Sequence, residues 1–258
     1  MVSTHKNMKR NLGQNFLIDK NIASREINYA KICKDDVVLE IGPGKGILTN
    51  LLAKKAKHVI AIEIDKFFLR DLEDKLPKNV TLIYGDALKV DFDSLSRFNK
   101  IVSNLPFQIS SPITFKILDY NFSLAVLIYQ KEFANRMIAT PKSKDYSRLS
   151  VGVYYKAKCE ILETIPKTCF QPQPKIDSCA IKLAKRKKPP FYIINEQFFF
   201  EITKNLFTHR RKKIKNSIND FYRIKEKDLP YMDNRVEELT PEQIGSLSNI
   251  LYKIIYKK

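Results

Sequence analysis

The sequence predicts an α/β protein: a mostly parallel sheet with an antiparallel edge, followed by a small all-α C-terminal domain. Three observations carry this. From about residue 36 to 140, almost fully apolar runs alternate with helical patterns, as expected of parallel strands covered on both faces. Three of the seven glycines, Gly42, Gly44 and Gly46, follow the first such run, where a strand would turn into a helix. Beyond residue 190 the pattern is helical.

Taken in order, strands are expected over 36–41, 58–64, 80–84, 100–103 and 124–130, and helices over 47–56, 67–76, 112–118 and 131–139. Pro112 suits a first helical turn. The segments 159–165 and 176–183 read as strands joined by a loop holding Pro166, Pro172 and Pro174. No helix fits between them, so they should pair antiparallel at a sheet edge. Residues 185–190 read as a linker, which divides the chain into domains 1–188 and 189–258. Two amphipathic helices, 196–220 and 240–256, make up the second. Thr240-Pro241-Glu242-Gln243 is a capping-box start for the latter.

Composition bounds the function. At 258 residues, with 44% hydrophobic and 29% charged, the chain reads as soluble and globular. Its longest clean apolar stretch, 124–129, is far too short for a bilayer, and residues 1–10 are polar with no leader-like core. A cytoplasmic protein without a membrane partner is expected, and nothing calls for more than a monomer. The four cysteines show no paired spacing and the three histidines none of ligand type, so no metal site is expected. The formal charge of +18 is concentrated in two acid-free runs. One holds Lys182, Lys185, Arg186, Lys187 and Lys188; the other holds Lys204, Arg210, Arg211, Lys212, Lys213 and Lys215. Such runs are commonly solvated faces, but two on so basic a chain favour a nucleic-acid partner.

The chemistry lies at strand ends. Glycines at 42, 44 and 46 allow close backbone approach, although the spacing is neither that of a dinucleotide fingerprint nor that of a P-loop. Glu63, ending the second strand, can accept the hydroxyls of a ribose. Asp86, after the third, is placed to meet an adenine amino group. Asn104-Leu105-Pro106-Phe107, after the fourth, can hold the exocyclic amine of a planar base. The Asn104 side-chain oxygen takes one N–H, the Leu105 carbonyl takes the other, and the Phe107 ring lies on the base.

Glu40-Ile41-Gly42-Pro43-Gly44-Lys45-Gly46, Glu63, Gly85-Asp86 and Asn104-Leu105-Pro106-Phe107 resemble the cofactor and target-base motifs of class I adenine-N6 methyltransferases. Leu12-Gly13-Gln14-Asn15-Phe16-Leu17, the loop Phe170-Gln171-Pro172-Gln173-Pro174-Lys175-Ile176-Asp177-Ser178 and the segment Arg235-Val236-Glu237-Glu238-Leu239-Thr240 resemble those of the ribosomal RNA adenine dimethyltransferase family, the KsgA and Erm group. The match covers nearly the whole chain in order. Leu12-Gly13-Gln14 and Leu105 favour the KsgA (RsmA) type, and Gln108-Ile109-Ser110-Ser111-Pro112 is similar to its archaeal and eukaryotic branch. Phe107 departs from the tyrosine usual there: stacking survives, a hydroxyl contact does not.

The resemblance implies a Rossmann-like methyltransferase sheet and S-adenosyl-L-methionine as cofactor, with S-adenosyl-L-homocysteine as product. It implies N6,N6-dimethylation of adenines in small-subunit rRNA or a pre-ribosomal small subunit, with a role in ribosome biogenesis. It places Gln14, Asn15, Leu17, Gly42, Gly44, Glu63, Asp86 and Asn104 on the cofactor, Asn104 to Phe107 on the base, and Phe170 on the base's other face. Phe170 also reads as an edge-strand core residue. The RNA would be held by Lys185 to Lys188 and Arg210 to Lys213. Two alternatives stay open: an Erm-type enzyme acting on large-subunit rRNA, and a non-catalytic RNA-binding assembly or transcription factor on the same fold.

Overall fold

The computed structural model describes residues 14–224 and 229–256, so Leu12 and Gly13 of the N-terminal motif lie outside the described residues. The chain divides into two units, Met1–Ala134 with Lys158–Lys185, and Asn135–Ala157 with Arg186–Lys258.

The first unit is built on a seven-stranded sheet. Its strands are β2 (Val37–Ile41), β3 (His58–Glu63), β4 (Val80–Tyr84), β5 (Lys100–Asn104), β6 (Leu124–Gln130), β7 (Ala157–Ile165) and β9 (Ser178–Lys185), in the order β4-β3-β2-β5-β6-β9-β7. The first five run parallel, and β9 lies antiparallel to β6, Leu124 facing Ala184 and Gln130 facing Ser178. Thr164 meets Cys179 and Glu160 meets Lys182, so β7 runs against β9, as expected. Val38, Leu39, Val59, Ile60, Val102 and Val126 are buried, as the apolar runs require. Connecting helices are α1 (Lys20–Tyr29), α2 (Ile47–Ala53), α3 (Lys66–Glu73), α4 (Ser110–Asp119) and α5 (Lys131–Ile138). A separate two-residue ribbon pairs β1 (Phe16–Leu17) with β8 (Phe170–Gln171).

Strand order reverses between β2 and β5, which makes the switch point of an open α/β sheet. Those strands pair only at Val38–Lys100 and Leu39–Ile101. Past that point Ser103 Oγ donates to the Ile41 carbonyl at 2.5 Å and accepts from the Ile41 amide at 3.3 Å. The side chain takes over the ladder's bonding while the strand ends open into a crevice.

The second unit holds α6 (Arg148–Lys156), α7 (Glu196–Thr208), α8 (Ile214–Tyr222) and α9 (Pro241–Tyr256). Residues 135–157 belong here rather than with the first domain of the sequence reading. Tyr146, Val151 and Tyr155 are buried with Phe198, Phe199, Ile202 and Leu247, and the Tyr146 hydroxyl donates to the Leu239 carbonyl at 2.9 Å. The single helix expected over 196–220 is two. The Ile214 and Lys215 amides donate to the carbonyls of Asn234 and Met232 at 2.9 and 3.1 Å, so a tertiary crossing replaces the intrahelical bonds and breaks the helix. The Thr240 start stands: the Thr240 amide donates to Gln243 Oε1 at 2.9 Å and the Gln243 amide to Thr240 Oγ1 at 3.3 Å. No helix among the described residues is long and apolar enough to cross a membrane.

Candidate active site at the carboxyl edge of the sheet

The ends of β2, β3, β4 and β5 open onto one cleft of about 740 Å³, open solvent at its mouth included. It brings together Gln14, Asn15, Gly42, Gly44, Glu63, Asp86, Asn104, Leu105 and Pro106. Leu17 instead borders a smaller adjoining pocket with Glu40, Lys45 and Asn104, and neither Phe107 nor Phe170 lines the cleft.

The glycine turn is held from several sides. Gly42, Gly44 and Gly46 have φ of 73°, 54° and 75°, a region costly for a side chain. A Cβ on Gly44 would fall 2.8 Å from the Phe16 ring, and one on Gly46 2.6 Å from Leu72. Both close approaches are therefore to the chain's own side chains, whereas Gly42 lies beside Pro106, whose Cδ would sit 3.5 Å from an added Cβ.

Glu63 is 2% exposed. One carboxylate oxygen accepts the Gly44 amide at 3.1 Å and the other the Asp65 amide at 2.8 Å. Burial raises its pKa, and these bonds oppose the rise. Each oxygen keeps lone-pair capacity for a ligand hydroxyl. Asp86 Oδ1 accepts the Leu88 amide at 2.9 Å. The turn behind it is stapled by Lys116 Nζ, which donates to the carbonyls of Ala87, Leu88 and Val90 at 2.9, 3.1 and 2.5 Å. Burial lowers the Lys116 pKa.

Asn104 is the focus. Its Nδ2 donates to the Asn15 carbonyl at 3.1 Å, while its Oδ1 is buried without a partner. An orphaned buried acceptor costs about 1–3 kcal/mol, which a ligand N–H would recover. Gln14 Oε1 and Glu40 Oε2 are also buried without partners. Glu40 is pushed up to about 8, chiefly by burial, with the Glu63 charge adding to the rise and Thr49 opposing it. The Phe107 and Phe170 rings meet edge to face, centroids 6.3 Å apart at 65°. Holding a base between them needs parallel faces about 7 Å apart, twice a van der Waals contact, hence a ring rotation.

Some of this was missed from sequence. Phe16, Ile64 and Gln108 line the cleft, Glu40 lines the smaller adjoining pocket, and Lys116 braces the turn behind Asp86. A lone acid inside the apolar run Val37-Val38-Leu39-Glu40-Ile41 was the available signal for Glu40.

The basic runs separate into bound and free cations. In the second unit, Lys142, Lys144, Arg210, Arg211, Lys212 and Arg235 border a broad concavity with Glu237 and Glu238. Arg210 is a staple: it donates to Glu237 Oε2 at 2.6 Å and to the Lys144 and Ser143 carbonyls at 2.6 and 2.9 Å. Lys212 pairs with Asp220 at 3.1 Å and Lys213 with Asp233 at 3.0 Å. Arg211 is exposed and pairs with no described residue. Lys185 Nζ donates to the Leu118 carbonyl, and Arg186 Nε donates to the Tyr154 carbonyl at 2.9 Å. Lys187 and Lys188 are exposed.

Known proteins match throughout. A curated relative from Methanosarcina acetivorans, named "Probable ribosomal RNA small subunit methyltransferase A", is 46% identical over 253 residues, covering 93% of both chains. The crystal structure of a dimethyladenosine transferase from Plasmodium falciparum superposes with a TM-score of 0.76 at 26% identity, covering 93% of this chain and 98% of that one. The 23S rRNA methyltransferase ErmE does so with a TM-score of 0.68 at 27% identity, covering 91% and 98%. The model of the family described as "Ribosomal RNA adenine dimethylase" matches residues 5–253, and with the strand-end residues gathered on one cleft, the chain belongs to that family.

Proposed function

We propose that this protein transfers methyl groups from S-adenosyl-L-methionine to the N6 of adenines in small-subunit rRNA, twice per target base, during ribosome biogenesis in the cytoplasm, acting as a monomer. The buried, unpartnered Oδ1 of Asn104 at the β2–β5 switch point carries the reading. It is an acceptor, next to the Leu105 carbonyl, at the mouth of a cleft suited to the cofactor. The residues present fit that cofactor: Glu63 for the ribose hydroxyls, Asp86 for the adenine amine, and Gln14, Asn15 and Gly42 for the methionine end.

The cofactor supplies an electrophilic methyl on sulfur and leaves as S-adenosyl-L-homocysteine. The adenine amine is a poor nucleophile because its lone pair is delocalised into the ring. Asn104 Oδ1 and the Leu105 carbonyl each accept one N6–H bond, which favours a pyramidal nitrogen with a directed lone pair. Positive charge then grows on N6, and the Phe107 face stabilises it by about 0.5–2 kcal/mol. The methylated nitrogen is acidic and gives its proton to solvent, so Asn104 need not act as a base. Alignment of the two substrates provides most of the remaining acceleration. A loop adenine is favoured, since unstacking it costs only a few kcal/mol. The exposed cations Arg211, Lys187 and Lys188 are suited to phosphates.

Relatives at 46% identity carry a small-subunit name, whereas the large-subunit enzyme ErmE stands at 27%; this favours the small subunit. The test uses unmodified small-subunit particles, labelled cofactor and nucleoside analysis. N6,N6-dimethyladenosine in the small-subunit RNA, absent with Asn104→Ala, is the expected result. Label in large-subunit RNA alone, or none in adenine, refutes it.

A further inference from the structure

Asn15 joins two parts of the site that are far apart in sequence. Its carbonyl accepts from Asn104 Nδ2 at 3.1 Å. Its own Nδ2 donates to the Pro172 carbonyl at 2.6 Å, across 157 residues. An amide side chain can sit either way round. With Nδ2 tied to Asn15, Asn104 must turn Oδ1 the other way, and that oxygen is the buried one without a partner. The reversed orientation would set Oδ1 against the Asn15 carbonyl, acceptor to acceptor, and turn Nδ2 toward the N6–H donors of the base.

The second bond acts on the loop carrying Phe170. Phe16 faces Gln171 and Leu17 faces Phe170 in the β1–β8 ribbon, which continues through the Ile18 amide to the Cys169 carbonyl at 2.9 Å. So short a ribbon is marginal by itself. The Asn15–Pro172 bond closes its end at the cleft, and the Phe16 ring, seated in the space left by the missing Gly44 side chain, anchors the same segment to the glycine turn.

We propose that Asn15 is a positioning residue for the acceptor base: its side chain clamps the Phe170 loop, and the clamp holds in place the backbone carbonyl that orients the Asn104 amide. The assignment rests on the adenine-methylation reading and goes beyond a cofactor contact. A cofactor ligand, when changed, lowers cofactor affinity and is rescued by saturation. A positioning residue lowers transfer even at saturation.

Asn15→Asp is nearly isosteric but turns an acceptor toward the Pro172 carbonyl; Asn15→Ser keeps a shorter donor. Three quantities are measured for each: S-adenosyl-L-homocysteine affinity by calorimetry, single-turnover transfer to small-subunit particles at saturating labelled cofactor, and backbone hydrogen exchange over residues 16–18 and 170–171. The expected result is a loss of about tenfold or more in the rate at saturating cofactor for Asn15→Asp, with partial recovery in Asn15→Ser, beyond any change in S-adenosyl-L-homocysteine affinity. Exchange in both strands of the ribbon accelerates. A transfer rate within about twofold of the parent overturns the proposal, as does a loss that saturating cofactor abolishes. Unchanged exchange overturns the clamp, and this readout stands even if Asn15→Asp folds poorly, because Asn15→Ser reports it too. A parent protein that leaves adenine unlabelled refutes the functional reading instead, while exchange still decides the clamp.

Discussion

The Gly44 amide donates to the Glu63 carboxylate at 3.1 Å, so the turn after β2 is tied to the end of β3. Glu63 therefore shapes the cleft as well as facing it. Replacing it with alanine strands the Gly44 and Asp65 amides and removes the acceptor proposed for a ribose. Hydrogen bonds to charged groups are worth about 1.5–3 kcal/mol, so Glu63→Ala should weaken S-adenosyl-L-homocysteine binding by roughly 10- to 100-fold. Calorimetry checks this; an affinity within about threefold of the parent counts against the assignment.

Asn104→Ala separates the two halves of the site. It removes the acceptor proposed for N6–H and leaves Glu63 and Asp86 untouched. Loss of one aligned hydrogen-bonding group at a reacting centre costs about 10²–10³ in rate. Single-turnover transfer should fall that far with cofactor affinity little changed. A parallel fall in cofactor affinity would instead make Asn104 a cofactor ligand first.

Glu40 gives the stability a pH dependence. Burial raises it from the ordinary glutamate value of 4.5 to about 8, so the folded protein keeps a proton that the unfolded chain releases in that window. The contribution is fully present below about pH 4.5 and is lost as pH rises through about 8. Glu26, fully buried on α1 and raised well above the ordinary value by burial and by Glu40, works in the same direction. Glu40→Gln should flatten the decline of the urea midpoint across this range. An unchanged slope would place the proton elsewhere.

Adjacent arginines should behave differently. Arg210 holds residues 143 and 144 and Glu237, so Arg210→Gln should lower stability by about 1–3 kcal/mol, read from urea unfolding. Arg211 is exposed and pairs with no described residue, so Arg211→Gln should leave stability alone, weaken RNA binding and reduce its salt slope by about one phosphate contact. Titrations over a salt series decide; a slope identical to the parent makes Arg211 a solvated cation.

The strand ends were legible because each is a local event: an apolar run stops and a polar residue follows. The sequence alone thus places Gly42, Glu63, Asp86 and Asn104 on one edge. Contacts closed by distant chain were not legible. Nothing near Phe16 announces that Gly44 leaves room for its ring, and nothing near Asn15 points to Pro172. α1 was missed because Lys20-Asn21-Ile22-Ala23-Ser24-Arg25-Glu26 buries an acid among polar residues. α6 was missed because Val151-Gly152-Val153-Tyr154-Tyr155 has strand-like composition. The helix over 196–220 was overextended because its periodicity continues through a break imposed by carbonyls some twenty residues later.

The bond between Asn15 and Pro172 spans 157 residues, which has a consequence for synthesis. The chain is made from its N-terminus, so Asn15, the glycine turn and Asn104 all leave the ribosome before the segment that holds Phe170 exists. Until that segment follows, β1 has no strand to pair with and Asn15 no carbonyl at Pro172 to hold. A nascent or truncated chain ending before Phe170 can present the cofactor edge but not a closed base site, and that geometry appears only once most of the first unit has been translated.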